Sequence, residues 1–145
     1  MPISQNTTFA GPEAESKGQR IRGRSIARLL AADFRETGLE VSELECWRDA
    51  GWIFTVRSDT STLEVIVLAD HVDESRWILQ ISPSYRPGFL TRWFGRTASA
   101  TPQKVFQAAV RCHETLATHG YLEFQWCWDD FAQGEQCSPE PPRPA

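Results

Sequence analysis

A chain of 145 residues, 41% hydrophobic and 23% charged with a formal net charge of −4, has the size of one ordinary globular domain. That size excludes a barrel enzyme or a two-domain dinucleotide enzyme, and the apolar and aromatic content excludes wholesale disorder. The longest uninterrupted apolar run, Val65–Ala69, is too short to span a bilayer. The opening MPISQNTTFAGPEAES has neither the basic start nor the apolar stretch of a signal peptide, so the expected location is the cytoplasm.

Residues 1–19 are polar, contain Gly and Pro and show no period, which predicts a flexible N-terminal arm. The basic stretch Lys17, Arg20, Arg22, Arg24 opposes the dipole of the helix that follows, so it reads as part of an exposed arm. That helix spans about Ser25 to Thr37. Ile26, Leu29, Leu30 and Phe34 form its apolar stripe, Ser25 is its expected N-cap and Gly38 follows its last turn. Four strands come next. EVSELECWR (40–48) alternates without declaring a face. WIFTVRS (52–58) aligns Trp52, Phe54 and Val56. TLEVIVLA (62–69) aligns Leu63, Val65, Val67 and Ala69, and RWILQIS (76–82) aligns Trp77, Leu79 and Ile81. Short loops between them predict an antiparallel meander.

The segment 83–100 places Phe89, Leu90, Trp93 and Phe94 on one side of a short helix, with Arg92 and Arg96 on another. A second helix begins at the N-cap Thr101 with Pro102 in its first turn, and Gly120 ends it. Its stripe is Val105, Ala109, Cys112 and Leu116, joined by Phe106 and Val110. The strand YLEFQWCW (121–128) then aligns Leu122, Phe124, Trp126 and Trp128. AQGEQCSPEPPRPA (132–145) is proline-rich and polar and predicts a disordered tail. One domain over residues 20–131 remains.

The order helix, four strands, helix, strand predicts an α+β two-layer sandwich: a mainly antiparallel five-stranded sheet with both helices on one face. The last strand pairs either parallel through a right-handed crossover or antiparallel at an edge. The second face should be polar if it meets only water, yet Ile53, Ile66, Leu68 and Ile78 fall on it. Either the segment 83–100 folds over these residues, or they form a surface for a partner or a second copy of the chain. A one-residue slip in register would invert the assignment.

No residue pattern names a reaction. Cys112 and His113 are helical neighbours whose side chains diverge, and Cys46, Cys127 and Cys137 show no ligand spacing, so no metal and no cofactor are expected. Without an export signal the four cysteines are expected as free thiols. His71, Asp73 and His119 lie at turns or helix ends, where a spatial Cys/His/Asp cluster would be the basis of an enzyme reading. Asp129 and Asp130 point to opposite faces of an extended strand and do not share a proton. No phosphate-binding loop is present.

Between Glu74 and Glu114 there is no acidic residue, while Arg76, Arg86, Arg92, Arg96, Lys104 and Arg111 fall there. Tyr85, Arg86, Phe89, Arg92, Trp93, Phe94 and Arg96 interleave rings and guanidinium groups, as single-stranded nucleic-acid binders do. The acidic overall charge argues against nucleic acid and equally suits an acidic protein partner on the same arginines. The reading is a small, non-catalytic binding or adaptor protein. It acts through Ile53, Ile66, Leu68 and Ile78 or through Arg86, Arg92, Trp93 and Arg96, toward a protein partner or itself. Secretion chaperones and immunity proteins are comparable only as small acidic α+β folds; the element order departs from that usual in secretion chaperones.

Overall fold

The computed structural model describes residues 4–11, 20–58, 61–70, 72–73, 75–84, 100–129 and 137–144. Among them the chain order is strand β1 (Gln5–Ala10), helix α1 (Arg24–Glu36), strands β2 (Glu40–Val41), β3 (Glu45–Trp47), β4 (Gly51–Arg57), β5 (Thr62–Ala69) and β6 (Arg76–Pro83), helix α2 (Pro102–Thr118) and strand β7 (Leu122–Trp128). The class is α+β, and every pairing in the sheet is antiparallel. The sheet has seven strands in the order β2-β4-β5-β6-β1-β7, with β3 also on β4, where five were expected.

Two changes account for the difference. The segment EVSELECWR breaks into β2 and β3, both on the outer edge of β4. The Ser42 hydroxyl accepts from the Thr55 amide at 2.9 Å, taking the bond that a continuous strand's carbonyl would accept. The chain then turns through Arg48 and Asp49, both left-handed with φ of 49° and 54°, the central residues of a tight turn closed by the Ala50 amide on the Trp47 carbonyl at 2.9 Å. The turn returns at Gly51, where a Cβ would lie 2.2 Å from the Val67 carbonyl oxygen.

The second change overturns the expected arm over its described residues, 4–11. Residues 5–10 form β1, held between β6 and β7 along its whole length. Both neighbours run antiparallel to β1, so β6 and β7 run parallel to each other, one strand apart. The chain leaves β6, passes through α2 and returns at β7, and the slot between them receives the N-terminal strand. β7 therefore takes the antiparallel edge position. Phe9 is fully buried there, stacked on Phe124 and edge-on to Tyr121, each at 5.5 Å between centroids.

Helix α1 starts one residue earlier than expected, behind Gly23 rather than capped by Ser25. Gly23 has φ of +98°, and a Cβ there would press on Val67 at 3.2 Å. The basic stretch is not a free arm at its described end. Arg22 and Arg24 lie over the Trp77 and Trp52 rings at 5.0 and 5.4 Å, where cation–π attraction acts against their unfavourable position at a helix N-terminus. Helix α2 forms as expected, with the Thr101 side chain accepting from the Lys104 amide and Pro102 in the first turn.

One buried cluster joins Ile26, Leu30 and Phe34 of α1, Val105, Cys112 and Leu116 of α2, and the sheet residues Phe9, Phe54, Val65, Val67, Trp77, Leu79 and Trp126. The described tail is also ordered against the sheet. Cys137 is disulfide-bonded to Cys127, and Ser138 forms an antiparallel bridge with Trp126. This corrects two expectations, four free thiols and, for its described residues 137–144, a disordered tail over 132–145; Cys46 and Cys112 remain free.

Candidate functional site

The outer sheet face was the first candidate. Register places Ile53 opposite Ile66 and Leu68 opposite Ile78, so the four residues are contiguous. Ile53 and Ile66 are only 4% and 5% exposed, and Leu68 and Ile78 are half-buried. Of the two arrangements expected for this face, covered or open, the centre at Ile53 and Ile66 is buried and the flank at Leu68 and Ile78 is half-buried. Arg86, Arg92, Trp93 and Arg96 lie outside the described residues, as do Tyr85, Phe89 and Phe94.

The second candidate was a cluster of reactive groups, and the described residues do not assemble one. Cys112 is fully buried on α2, and burial with the nearby Asp33 carboxylate pushes its thiol far up, so it carries no nucleophilic thiolate. Cys46 is exposed on β3 beside the Asp49 carboxylate, 3.8 Å away, with no imidazole among its described partners. His119 bonds the Thr115 carbonyl at the end of α2 at 2.8 Å. His113 accepts the Trp126 indole N–H on Nδ1 at 3.0 Å, which places its own proton on Nε2. Burial holds the His113 pKa below the ordinary imidazole value. Asp73 serves its own turn, bonding the Ser75 amide and hydroxyl at 2.9 and 2.6 Å. Asp129 bonds the Ser4 amide at 2.9 Å and accepts from its hydroxyl, capping the start of β1. His71 and Asp130 lie outside the described residues. No three His, Cys, Asp or Glu side chains gather as metal ligands among the described residues.

A site that sequence reasoning missed lies where α1 ends beside α2. Phe34 and Leu39 from the α1 end, Val56 of β4 with Ser58 just after it, Ser61 just before β5 with Leu63 in it, and Lys104, Gln107, Ala108 and Arg111 from α2 enclose a cleft of about 310 Å³. Its floor is apolar because Val56 and Leu63 are cross-strand partners on the core face. Its helical wall is polar because Lys104, Gln107, Ala108 and Arg111 recur at i, i+3, i+4 and i+7 beside the apolar stripe. Ser58 and Ser61 hydroxyls bond each other at 3.2 Å, and the Lys104 ammonium reaches Ser58 at 3.4 Å. Arg111 is held by a two-pronged pair with Asp33, at 2.7 and 3.2 Å. Helical spacing could have shown the polar wall. Its meeting with the β4–β5 end depends on tertiary packing.

No helix among the described residues is long and apolar enough to cross a membrane. No protein-family model matches the chain, and no curated protein and no solved structure shows similarity to it.

Proposed function

We propose that the protein is a non-catalytic binding or adaptor protein that takes an apolar side chain of an acidic protein segment into the cleft between α1, α2 and the β4–β5 end. The observation that carries this reading is the composition of the cleft: an apolar floor under a rim bearing Lys104 and Arg111, with no carboxylate among its described lining residues. A volume of about 310 Å³ suits one large side chain and lies at the lower bound for small-molecule sites. The Lys104 ammonium favours a flanking carboxylate and speeds encounter with an acidic partner, while Arg111 is held by its pair with Asp33. The buried Cys112 thiol and the indole-bonded His113 fit a protein without catalysis.

Leu68 and Ile78 support a second contact. They are a cross-strand apolar pair left half-buried, and a second copy of the chain could cover them. The overall acidity speaks against nucleic acid. A cytoplasmic site of action carries a condition: the Cys127–Cys137 bond persists in an oxidising compartment, and in a reducing cytoplasm the tail is held without it.

The test is selection from a displayed random-peptide library on the full chain. Selected peptides should share a large apolar residue beside Asp or Glu. They should bind at least tenfold more weakly to the Gln107→Trp and Lys104→Glu variants. Selected peptides indifferent to both substitutions would remove the reading. Sedimentation at two concentrations tests the second contact, with dimerisation lost in Leu68→Lys.

A further inference from the structure

The outer edge of β7 is already occupied. The Trp126 amide donates to the Ser138 carbonyl at 2.7 Å, and the Ser138 amide donates back to Trp126 at 2.9 Å. Further along, the Gln5 side-chain amide donates to the Pro142 carbonyl at 2.8 Å, and Arg143 lies over the Phe106 ring at 5.9 Å. A proline-rich segment, bent at Pro139–Glu140 where the Ser138 hydroxyl donates to the Glu140 carbonyl at 2.6 Å, thus crosses from the sheet edge to α2 through a handful of contacts. Glu140 and Arg143 stay exposed. The segment is fastened at its start by Cys137, which is also exposed.

One contact in this arrangement is incomplete. Gln5 is fully buried on the core face of β1, and its Oε1 has no hydrogen-bond partner. In an extended peptide, the N–H and C=O of one residue point to the same side, so an amide side chain that donates to the carbonyl can also accept from the N–H. Pro142 supplies the carbonyl but has no N–H to give. Any other residue at that position would supply both.

We propose that the β7 edge and the adjoining Gln5 and Phe106 side chains form a docking groove for an extended peptide segment of a partner, one with a non-proline residue where the chain's own strap carries Pro142. Ser138–Pro144 is the resident occupant in cis, a mismatched one held by its tether and by the Cys127–Cys137 latch. Tethering raises the local concentration of the strap enough to offset its missing bond. Opening the latch takes a dithiol reductant. Two electrons and two protons pass to the S–S bond, Cys127 and Cys137 leave as two thiols, and the reductant closes as a disulfide. The groove shares no residue with the α1–α2 cleft, so it stands or falls independently of the function proposed there.

The test uses the full isotope-labelled chain, oxidised or reduced with dithiothreitol, titrated with the unlabelled peptides SPEPPRPA and SPEPARPA. In the reduced chain, both peptides should drive the Ser138 and Arg143 amides of the strap to unstructured positions while the amides of α1 and β5 stay in place. SPEPARPA should act at roughly fivefold lower concentration, the effect of one added hydrogen bond. The oxidised chain should resist both. Retention of the strap signals in the reduced chain at millimolar peptide would overturn the proposal, as would equal potency of the two peptides. A measurement without reduction guards against unfolding. Pro142→Ala in the oxidised chain should slow hydrogen exchange at Trp126 and Ser138 about fivefold, and an unchanged rate would show that the Gln5 oxygen is not waiting for a donor.

Discussion

Trp126 shows how one residue joins the layers of this protein. Its ring is fully buried, its backbone pairs with Ser138 on the β7 edge, and its indole N–H needs an acceptor. His113, one side chain away on α2, is that acceptor, so the imidazole must stay neutral at Nδ1. Burial lowers the His113 pKa against the pull of Glu140 and Glu114. The sign for stability follows. Below the ordinary imidazole value of about 6.5, the unfolded chain takes up a proton that the folded chain resists. Stability is therefore complete above that pH and is lost as pH falls through the folded value. Thermal unfolding across pH 5 to 8 should show this loss, and His113→Gln, which keeps an acceptor, should flatten it. The cysteines separate in the same way by environment. Iodoacetamide at neutral pH should modify Cys46 in the native oxidised chain and leave Cys112 untouched, read by mass.

At the scale of elements, β1 carries the largest consequence. Its residues, Gln5-Asn6-Thr7-Thr8-Phe9-Ala10, hold one aromatic among small and polar groups, which locally reads as loop. Strand character comes from the slot between β6 and β7, whose edges offer unpaired N–H and C=O groups on both sides. Phe9→Ala should cost about 3–5 kcal/mol in denaturant unfolding, whereas a residue of a flexible arm would cost almost nothing. Gly51 is equally bound to its place. Gly51→Ala should destabilise by about 1–3 kcal/mol, because the Val67 carbonyl against it is backbone and can give little. The bulge in β7 was also beyond sequence reading. Glu123 sits at φ 58° and so reaches Arg76 of β6 at 3.1 Å, across the intervening β1.

Across the whole molecule, the sheet buries apolar side chains on both faces. Helices α1 and α2 bury one face with Phe54, Val65 and Leu79; the other holds Ile53 and Ile66 away from solvent. Ile66→Ala should therefore cost about 2–5 kcal/mol despite lying opposite the helices, and Leu68→Lys should be tolerated because Leu68 is only half-buried. Denaturation of the two variants distinguishes a closed outer face from an open patch. The cleft and the β7 groove sit at separate places on this frame: one beside Lys104 and Leu63, the other beside Gln5 and Phe106.

The periodicity of 3.6 in Ile26–Phe34 and in Val105–Leu116, and of 2 in 52–58, 62–69 and 76–82, was sufficient to define both helices, three strands and their core face, because those patterns are set by which side chains must leave water. In 121–128 the strand was legible but its face was not, since the bulge at Glu123 breaks the alternation and leaves Leu122, expected beside Phe124 and Trp126, 65% exposed. The candidate site was far less legible. Lys104 and Arg111 stood out only as charge, and Gln5 and Ser138 did not stand out at all. Their roles arise from contacts across 46 residues for Lys104 and Ser58 and 137 for Gln5 and Pro142. Local sequence specifies an element by its own solvent preference. The filling of the β6–β7 slot, the latch at Cys127 and the closing of the outer face are decided only when distant edges with unmet hydrogen bonds and apolar area come together.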